Sequence, residues 1–340
     1  MRIALVSDAW RPQVNGVVRT LTTTVGELER LGHSVAAITP DAFQTIACPS
    51  YPEIRLAIAP GRGIRRRLEA WAPDAIHIAT EGPLGWAARR WCIASGLPFT
   101  TSFHTRFPDY LAVRTGLPAD LFWASFRRFH SRAERVFVAT PTLAAELRER
   151  GLSRVHRWGR GVDLSLFRPD GPRLAEVAGI AGPILLHVGR IAPEKNVEAF
   201  LAASVPGTKL VVGDGPALAM LRRRYPDALF LGALSGERLA SAYRSADAFV
   251  FPSRTDTFGL VMAEAIASGT PVAAYPVAGP LDVVGATTGV MDEDLETAIA
   301  GALRLDRHAV AAGAGQFDWE RCTRQFLAGL TPVGELARAA

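Results

Sequence analysis

Lysine is almost absent from this chain: of its 38 basic residues only Lys195 and Lys209 are lysines, and the rest are arginines. Cysteine is scarce as well. Cys48, Cys92 and Cys322 stand far apart with no C-x-x-C pair, which excludes a disulfide framework or a cysteine-built zinc site and favours a reducing, cytoplasmic setting. Long apolar runs are missing. Stretches such as Ile184–Val188 and Phe249–Phe251 are strand-sized, far short of the roughly 20 residues that cross a membrane. The opening run Ile3-Ala4-Leu5-Val6 is halted by Ser7 and Asp8 before it reaches the length of a secretory segment, and it reads as a buried first strand. Without low-complexity tracts, and with 340 residues of which 49% are hydrophobic and 21% charged, the chain is expected to fold as about two globular domains.

Charge is unevenly spread. Residues 1–170 carry 23 arginines against 15 acids, and the remainder carries 15 lysines and arginines against 18 acids. A basic half beside a mildly acidic half suggests that the first half faces an anionic surface or substrate. Two stretches there mix cations with apolar residues: Arg62-Gly63-Ile64-Arg65-Arg66-Arg67-Leu68, and Leu121-Phe122-Trp123-Ala124-Ser125-Phe126-Arg127-Arg128-Phe129. Both suit peripheral contact with an anionic membrane. In the second, Phe122, Phe126 and Phe129 have helical spacing that also fits a core-facing stripe.

Short β-branched runs alternate with helix-length amphipathic stretches: Arg2–Ser7, Ser34–Thr39, Ala75–Ile78, Phe99–Phe103, Arg135–Ala139, and again from Ile184. The alternation predicts an α/β fold of parallel sheets with crossover helices. The pattern breaks at Phe167-Arg168-Pro169-Asp170-Gly171-Pro172, where prolines and glycine mark a domain boundary. In the tail, Phe317, Trp319, Cys322, Phe326, Leu327 and Leu330 repeat at helical spacing and predict a packed helix.

Ligands in such sheets bind beyond the carboxyl ends of the strands, so the segments after strands carry the chemistry. After Ile184–Val188 comes Gly189-Arg190-Ile191-Ala192-Pro193-Glu194-Lys195-Asn196. This places Arg190 at a strand end and Lys195 in a first helical turn, a forked guanidinium beside a compact ammonium, a pairing suited to a diphosphate. After Ala248–Phe251 comes Pro252 through Glu264, and a helix is expected to start near Phe258. The amides of Phe258, Gly259 and Leu260 then lack intrahelical acceptors, and a phosphate fits against them. Glu264, roughly 7 Å further along the helix, is placed to hydrogen-bond a ribose diol, and Asp256, just before the helix, to face a sugar. Helix capping by Asp256 or Thr257 explains the same spacing. Asp292-Glu293-Asp294 has the D-x-D spacing of metal-binding sugar transferases but reads as an acidic helix start, and no metal site is expected. Gly213-Asp214-Gly215-Pro216 lacks the third glycine of a dinucleotide fingerprint.

The chain resembles family 4 of the retaining glycosyltransferases, of GT-B fold. The resemblance is carried by Asn15-Gly16-Val17-Val18-Arg19, Phe103-His104-Thr105, Gly161-Val162-Asp163, Gly189-Arg190 with Glu194-Lys195-Asn196, Gly213-Asp214-Gly215-Pro216, Ala246-Asp247, and Pro252-Ser253 through Glu264 to Gly269. It implies two Rossmann-like domains facing each other across a deep cleft: residues 1–168 with a returning 316–340 on the acceptor side, and 169–315 on the nucleotide-sugar donor side. It also implies that Arg190 and Lys195 bind the donor diphosphate, that Glu264 binds the ribose, and that the Phe258, Gly259 and Leu260 amides meet phosphate or sugar. Gly16 would belong to a loop over the phosphates, and His104 would lie near the transferred sugar. In the family's E-x7-E signature the first acid contacts sugar hydroxyls, and here Asp256 holds that place.

The expected activity is a retaining, metal-independent transfer of a hexosyl or hexuronosyl unit from a UDP- or GDP-sugar, with Asp256 and His104 orienting the sugar and Arg190 and Lys195 stabilising the leaving group. Neither cofactor nor nucleic-acid partner is expected. Within the family, Trp158-Gly159-Arg160-Gly161-Val162-Asp163 and Thr255-Asp256-Thr257-Phe258-Gly259 look most like the branch of lipid-directed mannosyl, sulfoquinovosyl and glucuronosyl transferases. A membrane lipid such as diacylglycerol is therefore the expected acceptor, with the protein at the inner face of the cytoplasmic membrane. A soluble or cell-envelope glycan acceptor is the alternative, and a sugar-nucleotide epimerase or a non-catalytic nucleotide-sugar-binding module is the alternative of another class.

Overall fold

The structure is a computed structural model that describes residues 1–13, 15–48, 51–108, 112 and 115–334, with the side chains of residues 51–53 left undescribed. By contacts the chain divides into two compact units, Met1–Gly159 with Trp319–Ala340, and Arg160–Asp318. Part of the expected 316–340 tail, residues 335–340, lies outside the described residues.

The first unit runs β1 (Arg2–Val6), α1 (Gly16–Arg30), β2 (Ser34–Ile38), β3 (Thr45–Cys48), β4 (Tyr51–Ala57), α2 (Gly61–Trp71), β5 (Ala75–Ile78), α3 (Pro83–Ala94), β6 (Thr100–Ser102), α4 (Ala119–His130), β7 (Val136–Val138), α5 (Pro141–Glu149) and β8 (Val155–Arg157). Six strands form a parallel sheet in the order β2-β1-β5-β6-β7-β8. Each strand expected in this half is present within a residue or two. The antiparallel hairpin β3–β4 was not foreseen. Its strands follow a short helical turn over Pro40–Ala42 and stand outside the main sheet, in a segment where the strand-helix alternation lapses.

Both faces of this sheet are covered, which is why β1 reads as continuous apolar sequence and not as an alternating one. Ala4 and Val6 join one core with Ile64, Leu68, Trp123 and Phe129. Ile3 and Leu5 join the other with Leu21, Leu28, Phe137, Trp158 and Phe326. Phe326 comes from a helix of the chain's tail, Trp319–Gly329, and its ring sits 4.9 Å from those of His77 and Trp158. His77, fully buried, satisfies both ring nitrogens on the Thr100 and Ser102 hydroxyls at 2.8 Å.

The second unit continues with β9 (Ile184–Val188), α6 (Val197–Ala202), β10 (Thr208–Val212), α7 (Leu218–Arg224), β11 (Leu229–Gly232), α8 (Gly236–Ser245), β12 (Ala248–Phe251), α9 (Leu260–Ala267), β13 (Val272–Ala274), α10 (Pro280–Val283), β14 (Gly289–Met291), α11 (Leu295–Ala302) and α12 (Arg307–Ala312). The tail helix is α13. The sheet order is β11-β10-β9-β12-β13-β14, all parallel. Chain direction across the sheet reverses between β9 and β12, and such a switch point opens a crevice at the strand ends.

The Phe167–Pro172 stretch is tied to this second unit by Arg244 of α8. That guanidinium is 2% exposed. It donates to the carbonyls of Pro172 at 2.9 Å and Leu166 at 3.3 Å and is paired with Glu237.

Candidate active site

Two loops meet at the β9/β12 switch point. After β9 the chain makes a single helical turn over Pro193–Lys195 and then passes through Asn196, whose φ of 52° lies in the left-handed region that asparagine tolerates. The Asn196 side-chain amide donates to the Pro252 carbonyl at 3.2 Å, and the Ser253 and Thr255 hydroxyls both reach the Glu194 carbonyl at 3.4 Å. These three cross-links hold the β9 and β12 loops in register. Gly279, from the loop after β13, completes the wall: a β-carbon there would stand 2.8 Å from the Asp256 carbonyl oxygen.

Held this way, Lys195 donates from Nζ to Asp256 Oδ1 at 2.5 Å, with 23% and 17% of the two side chains exposed. The second carboxylate oxygen, Asp256 Oδ2, is buried and has no hydrogen-bond partner among the described residues. An unsatisfied buried acceptor costs about 1–3 kcal/mol, so the atom is a ready receiver for a hydroxyl. Arg190, at the end of the same strand, is exposed.

Helix α9 starts at Leu260, two residues later than the expected start near Phe258. Gly259 occupies the N-cap with φ 75° and ψ 72°, and no side chain caps the helix. Phe258 is 8% exposed and packs edge-on against Phe317 at 6.1 Å, which keeps it in the loop. The amides left without intrahelical acceptors are therefore those at Leu260 and Val261, and Phe258 and Gly259 lead into them. Asp256 and Thr257 precede the cap, so capping by either residue is not the reason for the acid at position 256.

Glu264 lies on α9, 1% exposed, and accepts a hydrogen bond from the Tyr243 hydroxyl at 2.8 Å. Tyr243, fully buried on α8, was not singled out in the sequence. A tyrosine one turn from a helix end carries no spacing signal, and only the packing of α8 against α9 reveals it. His187 was missed too. It is fully buried on β9, its Nδ1 lies 3.2 Å from the Val250 carbonyl, and its Nε2 has no partner. Burial, assisted by the Lys195 charge and partly opposed by the Val250 hydrogen bond, pushes its pKa down to about 4, so a neutral imidazole underlies the Lys195–Asp256 pair at neutral pH.

Gly16 and His104 belong to the first unit. Gly16 is the first residue of α1 and not part of a loop; Asn15 caps that helix by accepting from the Val18 amide at 3.0 Å. His104 follows β6, with its ring 5.7 Å from that of Trp158. Asp294 of the D-x-D triplet caps α11, accepting from the Glu296 and Thr297 amides. Among the described residues no three His, Cys, Asp or Glu side chains cluster as metal ligands.

The first-half stretches also resolve. On α2, Ile64 and Leu68 are buried while Arg62, Arg65 and Arg66 face outward. On α4, Phe129 is buried and Phe126 packs against the core, leaving Arg127, Arg128 and Leu121, 61% exposed, outside. The aromatic stripe is thus largely core-facing. No helix among the described residues is long and apolar enough to cross a membrane.

Family models match both units: Glycosyltransferase Family 4 over residues 14–166 and Glycosyl transferases group 1 over residues 182–305. A GDP-mannose-dependent alpha-mannosyltransferase of Mycolicibacterium smegmatis is 35% identical over 307 residues, covering 84% of this chain and 82% of that one. The Alpha-monoglucosyldiacylglycerol synthase of Streptococcus pneumoniae is 30% identical, over 81% of this chain and 71% of its own. Among solved structures, Sucrose-phosphate synthase from Thermosynechococcus elongatus superposes with a TM-score of 0.74 at 24% identity, over 96% of this chain and 97% of that one. The last likeness shows the fold, the two-unit α/β architecture called GT-B.

Proposed function

The chain belongs to glycosyltransferase family 4, and on that premise we propose that it transfers a hexosyl unit, with retention of anomeric configuration and without a metal ion, from a nucleotide diphosphate sugar to a hydroxyl of a membrane lipid. The observation that carries the proposal is the Lys195–Asp256 pair at the switch point, with one carboxylate oxygen engaged by the ammonium and the other unpartnered. An amine and an uncapped helix N-terminus neutralise a leaving diphosphate, while a fixed carboxylate oxygen accepts from a sugar hydroxyl.

In this reading Arg190, Lys195 and the Leu260 and Val261 amides take the charge that develops as the glycosidic bond breaks, the role a divalent ion plays in other sugar transferases. Asp256 reaches the sugar although it is shorter than the glutamate usual at its place, because Lys195 fixes it. Glu264 takes the ribose. The donor we favour is GDP-mannose, supported by the name of the mycolicibacterial relative. The lipid acceptor is supported by the diacylglycerol in the name of the streptococcal one and by the outward arginines of α2 and α4.

The test is a transfer assay with GDP-mannose, UDP-glucose and UDP-glucuronate against diacylglycerol and a total lipid extract, read by mass spectrometry, with the product anomer assigned by NMR. Retained anomeric configuration and full turnover in chelator are expected. Turnover that chelator abolishes and manganese restores would refute the metal-free mechanism. Conversion of the donor, without any acceptor, into an epimeric nucleotide sugar would replace transfer by epimerisation.

A further inference from the structure

A second concavity lies wholly within the first unit, between α3 and α4. Trp86, Arg89, Arg90, Ala124, Ser125 and Arg128 line an open cavity of about 540 Å³. Its floor is rigid. Arg89 is 8% exposed and donates to the carbonyls of Phe129 at 2.8 Å and Arg128 at 2.7 Å, closing the C-terminal end of α4, and its guanidinium lies 5.3 Å from the Trp86 ring centroid. Trp86 in turn packs edge-on to Phe129 at 5.1 Å. These bonds explain why α3 and α4 stay together, and they leave the outer arginines unused.

Arg90 and Arg128 at the mouth, and Arg132 just beyond α4, are exposed and pair with no acid among the described residues. Glu81, before α3, and Glu134, beyond α4, are engaged elsewhere: Glu81 meets His130 and Glu134 meets Arg154. The charges of Arg128 and Arg132 are close enough to Arg89 that, after burial, they help lower its pKa. The helix dipole favours basic residues in the last turn of α4, which accounts for Arg128. It does not account for Arg90, which comes from α3 to the same opening. Arg89, Arg90 and Arg128 line one concavity with no carboxylate paired to them among the described residues; they repel one another, and an anion that enters relieves the repulsion while gaining charge-assisted hydrogen bonds.

We propose that this cavity binds a phosphoryl group, with Arg90 and Arg128 as its principal ligands, the Ser125 hydroxyl as a further donor and Trp86 as an apolar wall for the group that carries the phosphate. Guanidinium forks match phosphate oxygens in pairs. The phosphate reaches the cavity either on a small soluble ester or on a lipid headgroup, and the chemistry is the same for both. The inference stands apart from the donor reading, since it concerns a different unit and needs no nucleotide sugar.

The experiment uses the full chain without donor. Glycerol 3-phosphate is titrated by calorimetry with tryptophan emission followed in parallel in the unaltered protein and in W86F, and vesicles of phosphatidylcholine with or without phosphatidic acid are sedimented at two salt concentrations. R90Q/R128Q is compared with R223Q/R304Q, which removes the same formal charge from exposed positions of the second unit, and melting curves confirm that both fold. Affinity lowered about tenfold or more in R90Q/R128Q alone, with glycerol 3-phosphate, assigns a soluble ester. The same selective loss seen only on phosphatidic-acid vesicles assigns a headgroup. Equal behaviour of the two variants in both assays, or no saturable binding by the unaltered protein in either, would overturn the proposal and reduce the cluster to diffuse surface charge.

Discussion

Lys195 and Asp256 are 61 positions apart in the chain and 2.5 Å apart in space. The pair exists because β9 and β12 are hydrogen-bonded neighbours at the point where the sheet reverses, so loops far apart in sequence emerge side by side. The ammonium donates to one carboxylate oxygen and thereby orients the carboxylate.

Substituting the pair separates stability from function. Lys195→Ala leaves a partly buried carboxylate without its cation and should cost about 1–2 kcal/mol, and Asp256→Asn should cost less. In the double variant the stability penalties should partly cancel, because neither charge is left alone. Activity should not recover: each single variant and the double variant are expected to lose roughly 100-fold or more in kcat/KM. A double variant that regains activity along with stability would make the pair a structural bridge only.

Glu264 is expected to act through its carboxylate and Tyr243 through its hydroxyl. Glu264→Gln keeps size and one acceptor oxygen, so the fold should survive while donor affinity falls roughly tenfold. Tyr243→Phe removes the 2.8 Å hydrogen bond and should cost about 1 kcal/mol of stability, with a smaller effect on donor binding. Calorimetry with GDP-mannose and UDP-glucose on both variants measures the difference, and equal donor affinity in Glu264→Gln and the unaltered protein would take Glu264 out of the site.

Much of this arrangement is legible before any coordinates. Strand runs such as Ala75–Ile78 and Ile184–Val188 match β5 and β9, because a strand buried on both faces is nearly all apolar, broken in each only by one buried histidine, His77 or His187. Arg190, Lys195, Asp256 and Glu264 stand out because they follow such strands. What is not legible depends on contacts between distant segments. The onset of α9 is displaced because Gly259 adopts a left-handed turn and Phe258 is held by Phe317, and helical periodicity contains neither fact. The Glu264–Tyr243 and His187–Val250 contacts join elements whose adjacency only the sheet order supplies.

Asp8 illustrates the same limit in the first unit. From the end of β1 its carboxylate accepts from the Thr80 hydroxyl at 2.9 Å, the Leu84 amide at 2.9 Å and the Gly85 amide at 3.2 Å. It thus caps α3 from more than 70 positions away in the chain. Burial raises its pKa above the ordinary carboxyl range, and the hydrogen bonds from Leu84, Thr80 and Gly85 offset that only in part. Asp8→Ala exposes two orphan amides and should cost about 2 kcal/mol. Gly82→Ala, whose new β-carbon would fall 2.3 Å from the Asp8 carboxyl carbon, should also destabilise this end of α3. Thermal unfolding followed by tryptophan emission suits both variants, since all seven tryptophans lie in the first unit.

His187 gives the second unit an acid-side weakness whose sign is fixed by its burial. In the unfolded chain the ring takes a proton near its ordinary pKa of 6.5, whereas in the folded unit it resists until about 4. Between those values the unfolded state holds more protons, so stability rises with pH across that window and falls as the medium is acidified. The full effect is roughly 3 kcal/mol, reached near pH 4 and absent above pH 7. His187→Gln should flatten this dependence while lowering stability at neutral pH, because the replacement packs less well beside Phe200, whose ring lies 6.4 Å from the imidazole. The second unit contains no tryptophan, so fluorescence does not read it. Hydrogen exchange at the β9 and β12 amides does, and protection that falls equally with acid in the variant and in the unaltered protein would show that another group carries the dependence.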